Sequence, residues 1–394
     1  MVKTSSKILI ISPTPTHITN AGNRRHILNV VEELNALGYE IFYFYINREV
    51  ADLNKMKDYF KSNLYVYNEP QKLSLIYRVQ LKLNRFFNKN FLSRKQSFEE
   101  QVYNQHIDHH FPYGIESMIN DIIKRKNIDT IIVEYVFISR ILRFLPKQIN
   151  KIIDTHDKFT NRFNLYLDRG EQPSWVSLEL RDEIKGLNRA DSIICLNSDE
   201  LTFFKKNGYK GKSILFSNLQ LIKNLYEVGD SNKLLYLASA NDLNIKSIND
   251  FIKDCFSPLL LNKTNFELII GGEISNYIEF KHERITTLGF VDSLDMFYSL
   301  GKIVINPEIR GTGQKIKSIE ALRYNKILVS TTPIGLLNFE DFSFFARDYI
   351  EMSEELIRLN NNISIAENKI ALLNQYRAQS KSELQLILSK NQST

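Results

Sequence analysis

Only two cysteines, Cys195 and Cys255, occur in the 394 residues, too few for a disulfide framework. Both sit in apolar surroundings and read as packing residues of a protein kept in a reducing compartment. Glycine and proline are scarce, 15 and 9, which excludes collagen-like, low-complexity and broadly disordered chains. No stretch approaches the roughly 18 uninterrupted apolar residues of a spanning helix. The opening MVKTSSKILIIS turns polar at Ser12 after a run too short for a signal-peptide core. Lys and Arg exceed Asp and Glu by only 6, which does not mark a dedicated nucleic-acid binder. The expectation is a cytoplasmic protein with no nucleic-acid partner, either soluble or peripheral on the inner face of the cell membrane.

What is present is ordinary globular material, 43% hydrophobic and 24% charged, enough for roughly two to three domains. Ile8–Ile11 reads as a strand, and Ile27, Val30, Val31 and Leu34 mark a helix over His26–Leu37 that Gly38 ends. Glu40–Tyr45 follows as a second strand, completing the strand–helix–strand unit of a parallel α/β sheet. Further buried-strand candidates are Thr130–Val133, Lys151–Asp154, Ser192–Leu196 and Ser213–Phe216. The pattern restarts near residue 233 with Lys233–Ala238, Glu267–Ile270, Ile303–Asn306 and Ile327–Ser330. Two α/β domains are therefore expected, 1–218 and 233–375, joined by a linker at 219–232. The tail from Ser353 to Lys390 is helical in pattern almost without interruption. Ligands in such sheets sit at the carboxyl ends of the strands, so chemistry is sought in the loops that follow them.

The most informative loop follows Ile303–Asn306 and holds Arg310, Gly311, Thr312 and Gly313 ahead of a helix predicted from Gln314 to Tyr324. Glycines there let backbone N–H groups approach an anion, and the helix N-terminus adds partial positive charge. Lys315 and Lys317 lie in the first turn, where cations oppose the helix dipole unless an anion compensates. A pyrophosphate would resolve that conflict. Glu320, three positions after Lys317, can accept both hydroxyls of a ribose; the plainer alternative is a Lys317–Glu320 surface pair.

Gly289–Leu336 resembles the donor-binding domain of nucleotide-sugar glycosyltransferases, the retaining family 4 or glycosyl transferases group 1. Leu234–Ile252 resembles the first strand, loop and helix of that domain. SPTPTHITNAGNRRHILNVVEELNALGYEI, Ile152–Arg162 and Ala190–Leu201 resemble elements of the other domain, in the same order and spacing. The resemblance implies a GT-B architecture: two Rossmann-like doubly wound domains facing a central cleft. The first would take the acceptor side and carry a basic helical insertion at about 70–115. Residues 376–394 would form a helix crossing back to the first domain. It implies that Glu320 binds the donor ribose, and that Lys315 and the backbone of Gly311–Gln314 hold the diphosphate. The family's second glutamate stands eight positions earlier, where this chain has Thr312. Ser239, Asn241 and Asn244 occupy the place where relatives carry an Arg and a Lys, so Arg310, Lys315 and Lys317 would supply the charge neutralisation.

In the first domain, Gly22 lies in the loop before the first helix, as a ligand-approach glycine or a simple turn. Asn23, Arg24 and Arg25 follow at the helix start, where the arginines meet an anion or are solvated. His156 and Asp157 follow the predicted strand Lys151–Asp154 at its carboxyl end, and the counterpart of His156 in the family reaches the donor sugar; Asp154 and Asp157 could orient it. Glu134 would line the acceptor side, and Asn197 and Ser198 end another strand. The expected reaction passes through an oxocarbenium-like state, with Lys315, Arg310 and helix N–H groups stabilising the leaving diphosphate. No metal and no cofactor beyond the nucleotide-sugar donor are expected. The acceptor would be a glycan or lipid-linked sugar of a bacterial surface polysaccharide. A nucleotide-sugar epimerase and a catalytically inactive nucleotide- or glycan-binding scaffold are the alternatives.

Two other stretches draw attention. HIDHH, residues 106–110, would place His106 and His110 on one helix face, as a metal cluster or as surface polar residues. Between Glu69 and Glu99 there is no acidic residue. Arg78, Lys82, Arg85 and Lys89 lie about 200° round a helix from Ile76, Val79, Leu83 and Phe86. That basic amphipathic pattern over 72–95 suits an anionic membrane, or a helix packed on its own domain with solvated cations outside.

Overall fold

The computed structural model describes residues 6–18, 22–69, 98–112, 114–168, 170–173, 175–216, 219–308, 316–333 and 339–389. The chain divides into two compact units, Met1–Cys195 with Asp199–Leu215 and Leu384–Thr394, and Leu196–Ser198 with Phe216–Glu383.

The sheet of the first unit contains β1 (Lys7–Ser12), β2 (Glu40–Ile46), β3 (Leu64–Tyr67), β4 (Thr130–Glu134), β5 (Asn150–Asp154), β6 (Ser192–Cys195) and β7 (Lys212–Leu215). They are all parallel, in the order β3-β2-β1-β4-β5-β6-β7. Helices cover both faces of such a sheet, so its central strands are apolar along their length. Ile8–Ile11 and Ile131–Val133 are fully buried accordingly. Helix α1 (Gly22–Ala36) buries Ile27, Val30, Val31 and Leu34 and starts four residues earlier than its apolar spacing indicates. Its chain direction reverses at Gly38, whose φ of 88° no β-carbon-bearing residue adopts freely. The strand order reverses between β1 and β4, which leaves a crevice outside their carboxyl ends.

The second unit repeats the plan with β8 (Asp230–Leu237), β9 (Glu267–Gly271), β10 (Ile285–Gly289), β11 (Gly301–Asn306), β12 (Ile327–Ser330) and β13 (Phe344–Phe345). The order is β10-β9-β8-β11-β12-β13, parallel throughout. Here the reversal lies between β8 and β11. The 219–229 stretch is pinned to this unit rather than loose: Ile222 N donates to Arg323 O and Leu225 N to Tyr324 O. The buried Lys326 Nζ donates to Leu225 O and Val228 O at 2.5 and 2.8 Å.

Three strands are not among those expected from the sequence. β3 and β10 are edge strands, half-buried or exposed at most positions, and β13 has only two residues. The tail also differs from its pattern. It is two helices, α2 (Tyr349–Asn361) and α3 (Glu367–Leu388), separated by a 3₁₀ turn over Ile363–Ala366. Asn362 makes the break, its side chain accepting from Ser364 N at 3.2 Å and Ser364 Oγ at 2.7 Å. The end of α3 belongs to the first unit, where Ile387 O accepts from Asn150 Nδ2 at 2.7 Å. The basic 72–95 stretch lies outside the described residues.

Candidate active site

In the first unit, α1 and the ends of β4 and β5 converge on four buried ionisable side chains. Registered neighbours on adjacent strands present side chains to the same face, and Glu134 on β4 is registered with Asp154 on β5. The two carboxylates are therefore neighbours by construction, and both are fully buried. Each is matched to a histidine: Asp154 Oδ2 shares a hydrogen bond with His26 Nε2 at 2.7 Å, and Glu134 Oε2 with His156 Nε2 at 2.6 Å. The two imidazoles meet edge to face at 5.1 Å, and Tyr135 stacks on His156 at 4.0 Å. Asn23 Nδ2 donates to the Tyr135 hydroxyl at 2.9 Å, tying the start of α1 to that stack. Tyr135 and His156 have φ of 71° and 61°, the left-handed region that costs a side-chain-bearing residue energy and recurs at functional sites.

The electrostatics of the four follow from burial. Loss of solvent pushes the Glu134 carboxyl well above its ordinary value, and the neighbouring Asp154 charge adds to this. Burial also works against the charge on Asp154, but His26 and His156 outweigh it and hold that carboxyl below the usual range. Burial lowers the His156 imidazole, with Asp154 and Asp157 pulling the other way. His26, Asp154 and His156 bring one ligating atom each within 4.8 Å of the others. Within this set His26 Nε2 and Asp154 Oδ2 lie at hydrogen-bond distance from each other.

The sequence-derived residues of this unit are placed as follows. His156 is oriented by Glu134, not by Asp154 or Asp157, because Asp154 is engaged by His26 and the half-exposed Asp157 pairs with Arg162 Nη1 at 2.8 Å. Gly22 is exposed at the first position of α1. Arg24 is not solvated: its guanidinium reaches Glu49 Oε2 at 2.8 Å. Arg25 is exposed. His26 has no special place in the sequence reading, because its apolar helix context reads as core. The HIDHH segment forms a turn rather than a helix. There Asp108 is taken by Arg189 at 2.6 and 3.1 Å, and His110 Nε2 by Gln105 Oε1.

In the second unit, the described residues that follow β8 and β11 meet at the switch point. The helix α4 (Asp242–Phe251) is capped by Asn241 Oδ1, which accepts from Asn244 N at 2.9 Å. That cap turns Asn244 toward α5 (Ile316–Arg323), where Lys317 Nζ donates to Asn244 Oδ1 at 2.5 Å. Lys317 also forms an ion pair with the buried Glu308, at 3.5 Å to Oε2, and lies 5.3 Å from the Tyr236 ring centre. Glu308 lies two residues past the end of β11 and is a site residue the sequence reading does not single out. One turn on, Glu320 Oε1 accepts from the buried Tyr298 hydroxyl at 2.9 Å, and Tyr298 stacks on Tyr324 at 4.5 Å. Arg310, Gly311, Thr312, Gly313, Gln314 and Lys315 lie outside the described residues. The structure thus brings Asn244, Lys317 and Glu308 together at the carboxyl ends of β8 and β11, with Glu320 on the same helix as Lys317.

Residues 231–362 match the family model described as Glycosyl transferases group 1. No curated protein sequence matches the chain. Among solved structures, HepE of Anabaena in complex with UDP is similar at 12% identity, over 97% of this chain and 99% of that one, with a TM-score of 0.61. TarM is similar at 11% identity over 98% of both chains, with a TM-score of 0.58. The lipopolysaccharide outer core galactosyltransferase WaaB is similar at 12% identity, over 97% and 99%, with a TM-score of 0.56. The family resemblance read from the sequence is borne out over the second unit, and the GT-B fold over the whole chain.

Proposed function

On a GT-B chain whose second unit matches the group 1 glycosyl transferases, we propose a sugar transferase that uses a nucleotide-diphosphate donor. The acceptor is a glycan or lipid-linked sugar of a surface polysaccharide, and the anomeric configuration is retained. The observation that carries this reading is the geometry around α5. Lys317 is drawn to the ends of β8 and β11 by Asn244 and Glu308, and Glu320 is held by a buried tyrosine on the same helix. Tyr298 fixes the Glu320 carboxylate in one orientation, as recognition of a ribose diol requires. Lys317, with the sequence-assigned Arg310, Lys315 and the loop N–H groups, neutralises the leaving diphosphate. His156 contacts the donor sugar, and Asn23 supports it through Tyr135. Complexes of HepE with UDP and with UDP-glucose, and the galactosyltransferase WaaB, support a nucleotide-sugar donor on this fold. Metal-independent transfer and a peripheral membrane position through 72–95 complete the proposal.

Thermal-shift measurement against UDP, GDP, CMP and their sugars tests it. One nucleotide sugar raises the melting temperature, and Glu320→Ala abolishes the rise. No shift with any of them, together with no transfer product, would instead favour a binding scaffold, the reading to which Thr312 in place of the family's glutamate points. NMR of the product's anomeric proton tests retention. Flotation with anionic against neutral liposomes tests the membrane contact, and equal binding to both would count against it.

A further inference from the structure

We propose that Glu134 is a positioning residue that carries a proton and donates it from Oε2 to His156 Nε2, fixing His156 as the tautomer with its proton on Nδ1. This deepens the proposed function and rests on it for the partner of that proton, the donor sugar.

The inference starts from the sheet. Parallel register sets Glu134 and Asp154 side by side on adjacent strands, about 5 Å apart by strand spacing, with no solvent at either. Two carboxylates so placed do not both keep a charge. Asp154 is the one equipped to keep it, since it is hydrogen-bonded to His26 and lies beside His156. Among the described residues Glu134 is hydrogen-bonded to His156, an imidazole that burial keeps neutral, and has no second histidine at hydrogen-bond distance. A neutral carboxyl at 2.6 Å from a neutral imidazole nitrogen donates to it, because a protonated carboxyl is the stronger acid of the two partners. Nε2 is then the acceptor and Nδ1 bears the hydrogen. His156 Nδ1 is buried and has no hydrogen-bond partner among the described residues, so this N–H is left for a ligand. The ring cannot turn away from that role. Tyr135 covers one face, His26 abuts it, and Glu134 holds its far nitrogen. The other titratable groups around the pair, among the described residues, are Tyr43 on β2, Tyr135 after β4, Asp157 after β5 and Cys195 on β6; burial pushes the Tyr43 and Tyr135 hydroxyls and the Cys195 thiol up, so all three stay neutral near pH 7.

The arrangement has a pH consequence. When Glu134 loses its proton at alkaline pH, the carboxylate accepts from Nε2–H. The imidazole then switches tautomer, and Nδ1 changes from donor to acceptor. Glu134→Gln supplies an amide N–H to Nε2 at every pH and keeps the donor tautomer; Glu134→Leu supplies nothing.

The test is ¹⁵N NMR of histidine-labelled full-length protein without ligand, with the His156 signals assigned by their loss in His156→Asn. At pH 7 the wild type and Glu134→Gln show a protonated Nδ1 and a bare Nε2, and only the wild type switches on raising the pH. In transfer assays the wild type loses activity over that same alkaline range. Glu134→Gln lacks this loss, and Glu134→Leu falls at least about tenfold. A protonated Nε2 in the wild type at pH 7 overturns the proposal, as does a Glu134→Gln protein with the wild-type alkaline loss. Where Glu134→Leu does not fold, the wild type and Glu134→Gln still decide. The NMR result needs no substrate, so the expected tautomer in a protein that transfers no sugar would refute the transferase reading and leave the assignment of the proton standing.

Discussion

Replacing Glu183 by glutamine should change how the first unit's stability depends on pH, in a direction and by an amount the structure fixes. Glu183, on the helix Leu180–Leu187, is fully buried and accepts from Phe159 N at 2.8 Å and from Thr160 Oγ1. It therefore pins the loop that begins with His156. Burial pushes its carboxyl up to about 7 from 4.5, and the bonds from Thr160 and Phe159 recover only part of the cost. Because the folded state holds the proton more tightly, the unfolded chain releases it first as pH rises from 4.5. Stability is thus lost between pH 4.5 and about 7 and is level above that. The loss is about 3 kcal/mol, from the difference between those two values at about 1.4 kcal/mol each. Glutamine keeps an acceptor for Phe159 N and has no proton to lose. Urea unfolding followed by the fluorescence of Trp175, the chain's single tryptophan and a residue of the first unit, reads this directly. The advantage of Glu183→Gln over the wild type should grow by about 3 kcal/mol from pH 4.5 to pH 8. Parallel pH curves for the two proteins would refute the reasoning.

Tyr298→Phe removes the hydroxyl that orients Glu320 while leaving its stacking on Tyr324, so KM for the nucleotide sugar should rise several-fold with kcat little changed. Gly272→Ala should destabilise the second unit by more than about 2 kcal/mol in thermal unfolding. Gly272 has a φ of 92°, and an added Cβ would collide with the backbone oxygen of Ala238. Lys326→Met leaves the carbonyls of Leu225 and Val228 without their donor. Burial, which pulls the Lys326 amine down to about 8, offsets part of that loss, so a net cost of about 2 kcal/mol is expected from denaturant midpoints. Dialysis against a chelator should leave transfer activity intact, with no stoichiometric zinc by elemental analysis; a stoichiometric ion whose removal abolishes activity would make His26, Asp154 and His156 its ligands.

The central strands of both sheets were legible because strands buried on both faces are apolar runs, as Ile8–Ile11 and Ile303–Asn306 show. Edge strands were not, since β10 is mostly exposed and carries Thr286 and Thr287 where a core strand would carry apolar residues. At the site, the strand-end rule picked out Glu134 and His156 separately, and Lys317, Glu320 and Asn244 through the loop and its family likeness. It did not pair them. Glu308 escaped because one glutamate after a strand has no signal of its own, and His26 because a histidine among Ile27, Val30 and Val31 reads as helix core.

The order of apolar runs, helical spacings and loop glycines along the chain was enough to determine two parallel α/β sheets, because those patterns are local consequences of burial. The pairing of charges needed the tertiary structure. Register between β4 and β5 makes neighbours of Glu134 and Asp154, twenty residues apart. The packing of α1 brings His26 onto Asp154, 128 residues away. Which carboxyl keeps its charge, and which imidazole nitrogen faces outward, depends on those long-range contacts in the absence of water, and no linear pattern encodes them.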